Sequence, residues 1–202
     1  MARPCYNQQQ IEDVLVAKGY KWFSSGDYNL NIVGVRKSGH EVTNHFDDCI
    51  TLSYKANGDW KFHCWQATTD PGEYWIDNPL NDAGCAILVP GQYRSSHKIG
   101  LHQGKYEALR QKSAVKVYRD GDLDDEYDHD PETIQEGVFG INIHRSNPYT
   151  ESYYVNKWSA GCQVFKRVED FNDFMEICHT AENKWGNSFT YTLITEEDIN
   201  AL

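Results

Sequence analysis

Two side chains in the last third of the chain are of the types that perform acyl transfer, and they lie at a short spacing. His144 is followed after fourteen intervening residues by Ser159, and Cys162 comes three positions later. A cysteine attacks a carbonyl carbon as its thiolate, and an ordinary pKa of about 8.5 leaves only a small thiolate fraction at neutral pH. A histidine beside the thiol could accept its proton. The pair therefore predicts Cys162 as a nucleophile and His144 as its base.

The residues that flank Cys162 indicate how such a site would be assembled. Gly161 precedes the cysteine, and a glycine lets the backbone approach a substrate closely, so the amides of Gly161 and Cys162 could bind a developing oxyanion. Ser159 and Gln163 are expected to orient the site. Three further residues are expected to contact the substrate, namely Asn142, Arg145 and Trp158.

One strand must end at His144 and another must begin just after Cys162 if the two side chains are to meet. Apolar and polar residues alternate from Gly137 to His144. This pattern predicts a strand with its apolar residues facing the core and with Asn142 and His144 on the opposite face. Cys162 is expected on a tight turn that enters the next strand.

Residues 141–165 resemble the catalytic region of L,D-transpeptidases, in which a histidine and a spacer of similar length precede a Ser/Thr-His-Gly-Cys sequence. The resemblance implies a β-rich catalytic domain that attacks peptidoglycan stem peptides through its cysteine. It implies a role for four residues of this chain: His144 as the base, Ser159 as the hydroxyl position, Gly161 as the glycine and Cys162 as the nucleophile.

Two positions depart from the family pattern. Ala160 stands where the family usually has a second histidine, and Val164 stands where many members carry an arginine. In the family that arginine helps to hold the acyl donor, so the substrate and the choice between hydrolysis and transfer to an amine stay open. Arg145, next to the predicted base, could replace it.

Five segments spread along the chain resemble a family of phage-encoded proteins, some of them placed among lysis or wall-degrading genes. This resemblance implies a variant of the lysin type, which would act on the cell wall after release through a membrane lesion made by another protein, or as part of a virion. The segments are residues 29–36, 67–72, 90–93, 100–106 and 158–163.

The fold class predicted for the 202 residues is α+β and mainly β, with a sandwich-like or barrel-like core. A capping box at Asn7 and Gln10 predicts an N-terminal helix, and apolar residues at helical spacing predict a longer helix over 167–185. We expect a single domain over 1–202, with a β-rich part over 1–110 and the His/Cys site in 111–202.

Charge and composition narrow the range of partners. The formal net charge of −11 argues against a protein that grips nucleic acid or an anionic membrane by electrostatics. No apolar run approaches the roughly 20 residues of a spanning helix, and the start of the chain lacks the apolar stretch of a signal peptide. The sequence therefore predicts a monomer made in the cytoplasm, without a cofactor.

Cysteine usage does not indicate a zinc ribbon or a disulfide framework. Six cysteines are present, and no two of them form a Cys-x-x-Cys pair. A free cysteine behaves as a small apolar residue, so those other than Cys162 are interpreted as packed thiols. They are Cys5, Cys49, Cys64, Cys85 and Cys178.

Three alternative functions stay open. A zinc peptidase is suggested by Ser95 to Gly100, which resembles the start of the metal motif in D-Ala-D-Ala-type peptidases; His97 would bind the metal with His102 or His144. A lysozyme-like glycosidase would need two carboxylates, for which Asp47, Asp48 and Asp70 are candidates. A binding or virion module without activity is the third.

The most acidic stretch runs from Asp120 to Asp130 and raises the question of a cation. An EF-hand loop would need a glycine where Asp125 stands and a bidentate glutamate where Pro131 stands. The match fails at both positions. A solvated loop between two strands is the interpretation we adopt from the sequence, with no metal among the expected site residues.

Overall fold

A computed structural model describes residues 6–202 of the chain. The prediction that Cys5 is a packed thiol therefore lies outside the described residues. Eleven strands lie within the described range: β1 Asn31–Arg36, β2 Asp48–Ala56, β3 Asp59–Thr68, β4 Cys85–Leu88, β5 Gly91–His102, β6 Tyr106–Gln111, β7 Val115–Asp120, β8 Gln135–Gly137, β9 Ile143–Arg145, β10 Gln163–Phe165 and β11 Phe189–Thr195. The helices are α1 Gln8–Ala17, α2 Glu73–Asp77, α3 Val168–Trp185 and α4 Glu196–Asn200, with a 3₁₀ turn over Pro131–Thr133.

Eight of these strands close into a barrel in the order β1-β11-β5-β6-β9-β10-β3-β2, and β4, β7 and β8 form a separate three-stranded sheet. Two of the barrel's pairings are parallel, namely β1 with β11 and β9 with β10. The barrel therefore draws strands from both of the parts distinguished in the sequence. The α+β, mainly β class is confirmed, as are the N-terminal helix and the longer C-terminal helix.

The two faces of the barrel strands pack against different helices. The largest apolar cluster joins one strand face, which includes Ile143 and Phe165, to the buried stripe of α3, which includes Phe171 and Phe174. A second cluster packs the buried residues of α1 against the opposite face of β1 and β11. Because side chains alternate between the two faces of a strand, neighbouring residues of β1 and β11 pack into different apolar clusters.

Local sequence signals explain several boundaries. The Asn7–Gln10 capping box is present at the start of α1. The turn between β2 and β3 is made by Asn57 and Gly58, both with positive φ (53° and 84°), as an Asn-Gly hairpin requires.

The predicted strand over 137–144 is wrong in its middle. β8 ends at Gly137 and β9 starts only at Ile143, so a loop separates them. In this loop the Gln111 side-chain oxygen accepts hydrogen bonds from the amides of residues 139, 140 and 141, and Gly140 has a φ of +81°. The side-chain oxygen of Gln111 thus provides the hydrogen bonds that a neighbouring strand would otherwise give to these N–H groups.

No helix within residues 6–202 is long and apolar enough to cross a membrane.

Candidate active site

The parallel pairing of β9 with β10 brings His144 and Cys162 to one side of the barrel wall. His144 lies opposite Val164 in the register, and the Gln163 amide donates to the Asn142 carbonyl at 2.8 Å. Because side chains alternate along a strand, Cys162 lies on the same face as Val164 and His144. This face is turned away from the main apolar cluster, as the sequence predicts for His144, and both side chains line one cavity of about 600 Å³.

The cavity is lined by basic and aromatic residues although the chain as a whole is acidic. Lys105, Arg145 and Lys157 border it, and none of the described residues that line it is acidic. A positive lining in a cleft of an acidic protein favours a ligand with negative charge. The other lining residues are Trp75, Leu80, His102, Gln103, Tyr106, His144, Pro148, Trp158, Ala160 and Cys162.

Hydrogen bonds fix the ring of His144 and assign its tautomer. The His144 Nδ1 lies 2.8 Å from the Arg145 carbonyl oxygen and 3.2 Å from the Tyr106 hydroxyl oxygen. A carbonyl can only accept, so we assign the proton to Nδ1, which leaves Nε2 with a free electron pair. The Tyr106 hydroxyl donates to the same carbonyl at 3.3 Å, and the ring of His102 stacks on that of His144 at 4.2 Å between centroids.

The surroundings of His144 keep its imidazole neutral. Burial lowers the pKa of His144 to about 3, and the nearby His102 and Arg145 act in the same direction, while the hydrogen bond to the Arg145 carbonyl opposes them. Below this pKa the ring would be charged, so at neutral pH it is the free base. The free base has an electron pair for a proton, but a pKa this low makes it a weak acceptor until its surroundings change.

Cys162 is held as a neutral thiol at the edge of the cavity. Its Sγ donates to the Gly140 carbonyl at 3.3 Å. Burial raises the pKa of the Cys162 thiol to about 11, although a hydrogen bond from the Asn142 backbone opposes the shift. No hydrogen bond joins Cys162 to His144 among residues 6–202, so the predicted pair shares a cavity without the direct contact that would ionise the thiol at rest.

Alkylation of Cys162 by iodoacetamide is expected to accelerate by about tenfold per pH unit from pH 7 to pH 10, because only the thiolate reacts and its fraction grows throughout this range. Peptide mass spectrometry of the Cys162 peptide gives the rate. Glutathione in the same samples serves as the control and levels off near the ordinary thiol pKa. A rate for Cys162 that is already constant between pH 6 and pH 8 would show a thiolate at rest and contradict the expectation.

The turn before Cys162 is fixed by Ser159 and requires Gly161. The Ser159 hydroxyl accepts from the Gly161 amide at 3.1 Å and donates to the Cys162 carbonyl at 2.8 Å. Gly161 has a φ of +112°, and a Cβ on it would lie 2.2 Å from the Ala86 carbonyl oxygen. Because the Gly161 N–H already donates to Ser159, it is not the free oxyanion donor that the sequence suggested.

The side chain of Gln163 also stabilises the turn before Cys162, from the opposite face of the barrel strand. It is fully buried, and its side-chain amide donates to the carbonyls of Gly161 and Thr69, both at 3.3 Å. Its oxygen accepts from the Tyr191 hydroxyl at 2.7 Å. Gln163 therefore positions the turn and does not reach the cavity.

The three predicted substrate contacts separate into two groups. Arg145 and Trp158 line the cavity, and the Arg145 guanidinium stacks 4.0 Å above the Tyr106 ring. Asn142 does not line it: its oxygen accepts from the Gln111 amide at 2.9 Å and its nitrogen lies 3.3 Å from Nδ1 of His102. Asn142 thus supports His102 and β6.

The two departures from the family pattern have different surroundings. Ala160 lines the cavity. Val164 is fully buried against Phe46 and Val155, where an arginine would lose its hydration. Arg145 and Lys157 are the cations that this part of the chain brings to the cavity. The replacement of the family's arginine by Arg145 stays a prediction.

Sequence reasoning did not assign His102 and Tyr106 to the site of Cys162. Both lie at the tip of the β5–β6 hairpin, where Gln103 and Gly104 make the turn with φ values of 51° and +72°. The Gln-Gly turn between alternating residues was the available signal for a hairpin.

The residues proposed for a zinc site are not gathered around one point. Both ring nitrogens of His97 are engaged, Nδ1 with the Ser96 hydroxyl at 2.8 Å and Nε2 with the Ile141 carbonyl at 2.9 Å. A zinc ligand needs one nitrogen for the metal. Within residues 6–202, the one group of three or more side chains close enough to share a metal ion lies elsewhere, in the acidic loop.

Two of the three carboxylates proposed for a glycosidase, Asp48 and Asp70, are engaged in hydrogen bonds or an ion pair within the fold. Asp48 accepts hydrogen bonds from the Lys37 amide and from the Thr69 amide and hydroxyl, and Asp70 pairs with the Arg36 guanidinium at 2.8 Å. The space that Asp47, Asp48 and Asp70 border together holds only about 20 Å³, which is too small for a sugar ring. Of the three, Asp47 alone also lines a larger cavity, of about 650 Å³.

Comparisons with known proteins do not identify a family for this chain. No protein-family model, no curated protein and no solved structure matches it. The resemblance to L,D-transpeptidases therefore rests on residues 141–165 and stays a prediction.

Proposed function

We propose that this protein is a cysteine-dependent enzyme that cleaves peptide bonds in peptidoglycan stem peptides through a thioester on Cys162. The observation that carries the proposal is that Cys162, directly before β10, and a neutral, oriented His144 on the parallel neighbour β9 line one cationic cavity. Neither residue alone would support it, since buried cysteines and histidines are common in protein cores.

In the proposed reaction the proton of Cys162 passes to Nε2 of His144 as the sulfur attacks the carbonyl carbon of a bound peptide. The Cys162 amide is the donor we assign to the oxyanion, because the Gly161 amide is bonded to Ser159. The carbon–nitrogen bond then breaks, and the leaving amine takes the proton from His144. Water attacks the thioester, gives one proton back through His144 to the sulfur, and releases a carboxylic acid.

The neutral resting pair determines when the thiolate forms. Burial stabilises the uncharged forms of both groups, raising the pKa of Cys162 and lowering the pKa of His144. The thiol must leave the Gly140 carbonyl to meet the base. We propose that substrate binding drives this movement, so that the nucleophile is formed only when an acyl group is present.

The charge of the cavity supports a peptide with free carboxylates. Stem peptides end in carboxylates, and Lys105, Arg145 and Lys157 line the cavity without an acidic neighbour among the described lining residues. Arg145 follows His144 directly in β9, and its guanidinium stacks 4.0 Å above the ring of Tyr106, which also lines the cavity. A guanidinium binds a carboxylate through two parallel hydrogen bonds.

Water is proposed as the acceptor on the strength of the resemblance to phage proteins of the lysin type. The products of defined, cross-linked muropeptides test the proposal. Incubation with the wild-type protein is expected to give fragments that have gained one water and a new free amine, seen by mass spectrometry and by amine derivatisation. Heat-denatured protein is the control.

Other products would redirect the assignment. New reducing ends without free amines would indicate a glycosidase and contradict the proposal. Fragments joined to an added amine, without hydrolysis, would show a transpeptidase that uses the same thioester. Binding to sacculi with no product from any muropeptide would indicate a module without activity.

A further inference from the structure

Three carboxylates of the acidic stretch converge at one end of the small sheet. Asp120 is the last residue of β7, Asp122 follows it in the loop, and Asp128 returns from the far side of that loop. One carboxylate oxygen from each lies within 4.8 Å of the others. Like charges at this separation repel one another, so the arrangement is unfavourable without a counter-charge.

One buried carboxylate oxygen of this cluster, Oδ1 of Asp120, has no hydrogen-bond partner among the described residues, which favours a bound cation as the counter-charge. Asp120 is fully buried, and its Oδ2 accepts from the Asp128 amide at 3.2 Å. Its Oδ1 has no hydrogen-bond partner among residues 6–202. A buried carboxylate oxygen that lacks a partner costs free energy.

We propose that Asp120, Asp122 and Asp128 bind a calcium ion. Carboxylate oxygens are the ligands that hard divalent cations prefer, and calcium accepts six to eight oxygens in flexible geometry, so that loop carbonyls and water can complete the shell. The failure of the EF-hand spacing does not bear on this site, because its ligands come from a strand end and from the return of the loop. The inference is independent of the chemistry proposed for Cys162.

The ion would order the acidic loop, which packs against the rest of the molecule through Tyr127. Tyr127, next to Asp128, is buried, and its hydroxyl donates to the Pro71 carbonyl at 2.9 Å. The following residue, Gly72, donates through its amide to the Ser159 carbonyl at 2.9 Å. These hydrogen bonds connect the acidic loop, through Pro71 and Gly72, to the turn that carries the cysteine.

A calcium titration of the full chain after treatment with EDTA tests the site. Addition of CaCl₂ is expected to raise the Tm of the wild-type protein by about 4 °C or more, with saturable binding seen by calorimetry. Asp122→Asn is expected to weaken calcium binding by about tenfold or more, because it removes one charged ligand of three. Asp120→Asn is expected to abolish the response to calcium and to raise the Tm measured in EDTA.

The matched control is Asp125→Asn, which removes the same charge from the same exposed loop but lies outside the cluster. It is expected to bind calcium within about twofold of the wild type. No Tm shift of the wild type, an equal shift with MgCl₂ at the same concentration, or equal losses in Asp122→Asn and Asp125→Asn would each overturn the proposal. If Asp120→Asn does not fold, the comparison of Asp122→Asn with Asp125→Asn decides alone.

Discussion

Cleavage of stem peptides is expected to fall by at least about 10⁴-fold when Cys162 is replaced by alanine, since the proposed thioester can no longer form. His144→Gln is expected to lower the same rate by roughly 10²-fold to 10⁴-fold, because glutamine keeps a polar side chain but cannot take up the proton. The two groups act on one step, so the double variant should be no slower than Cys162→Ala. The readout is kcat/KM on a defined muropeptide.

Two substitutions elsewhere in the chain serve as matched controls. Cys64→Ala removes a half-buried thiol from β3, and His179→Gln changes a histidine on the surface of α3 that pairs with Glu107. Both should keep kcat/KM within about twofold of the wild type. A Cys162→Ala protein that folds, as judged by its Tm, and still cleaves at the wild-type rate would remove the proposed nucleophile.

Replacement of Gly161 by alanine is expected to destabilise the protein by about 2 to 5 kcal/mol, which combines an unfavourable positive φ with steric overlap. The new Cβ would lie 2.2 Å from the Ala86 carbonyl oxygen and 3.3 Å from Cδ1 of Ile141. Because both neighbours belong to well-packed segments, relief requires movement of the turn that carries Cys162. The shift in the midpoint of urea unfolding measures the loss, and activity should fall with it.

Gly100→Ala is the control for this substitution. Gly100 lies in β5, and its nearest contact for a new Cβ is the flexible Arg110 side chain at 3.4 Å. The free energy of unfolding of the Gly100→Ala protein is expected to differ from that of the wild type by less than about 1 kcal/mol. Equal, small changes for Gly161→Ala and Gly100→Ala would mean that the turn before the cysteine is free to rearrange.

The fold class and the two longer helices could be predicted because their signals are local. The capping box at Asn7 and the apolar stripe of α3 each depend on residues a few positions apart. Short-range patterns of this kind determine caps, helical faces and hairpin turns. Closure of the barrel could not be predicted in this way, because it depends on pairings such as that of β1 with β11.

The predicted strand over 137–144 was wrong for a reason that the local pattern does not contain. Alternation of Phe139, Ile141 and Ile143 is consistent with a strand, but the side chain of Gln111, some thirty positions away, binds three successive amides of this segment. A side chain from another element thus took the place of a neighbouring strand. Tertiary contacts of this kind routinely override local preference.

The sequence could predict that Cys162 and His144 lie at one site, but not the detail of their surroundings. Spacing and residue type indicated Cys162 and His144, and the structure places both at one cavity. The contributions of His102 and Tyr106 depend on where the β5–β6 hairpin ends relative to β9. The raised pKa of Cys162 and the lowered pKa of His144 depend on burial, which the sequence of the motif does not determine.

The position of β11 in the barrel has a consequence for synthesis of the protein on the ribosome. β11 fills the gap between β1 and β5 and is hydrogen-bonded to both. Until this late segment leaves the exit tunnel, the nascent chain carries two open strand edges, which are templates for pairing with other chains. We expect chaperones to be needed most during this interval, and expression at lower temperature to improve the yield of native protein.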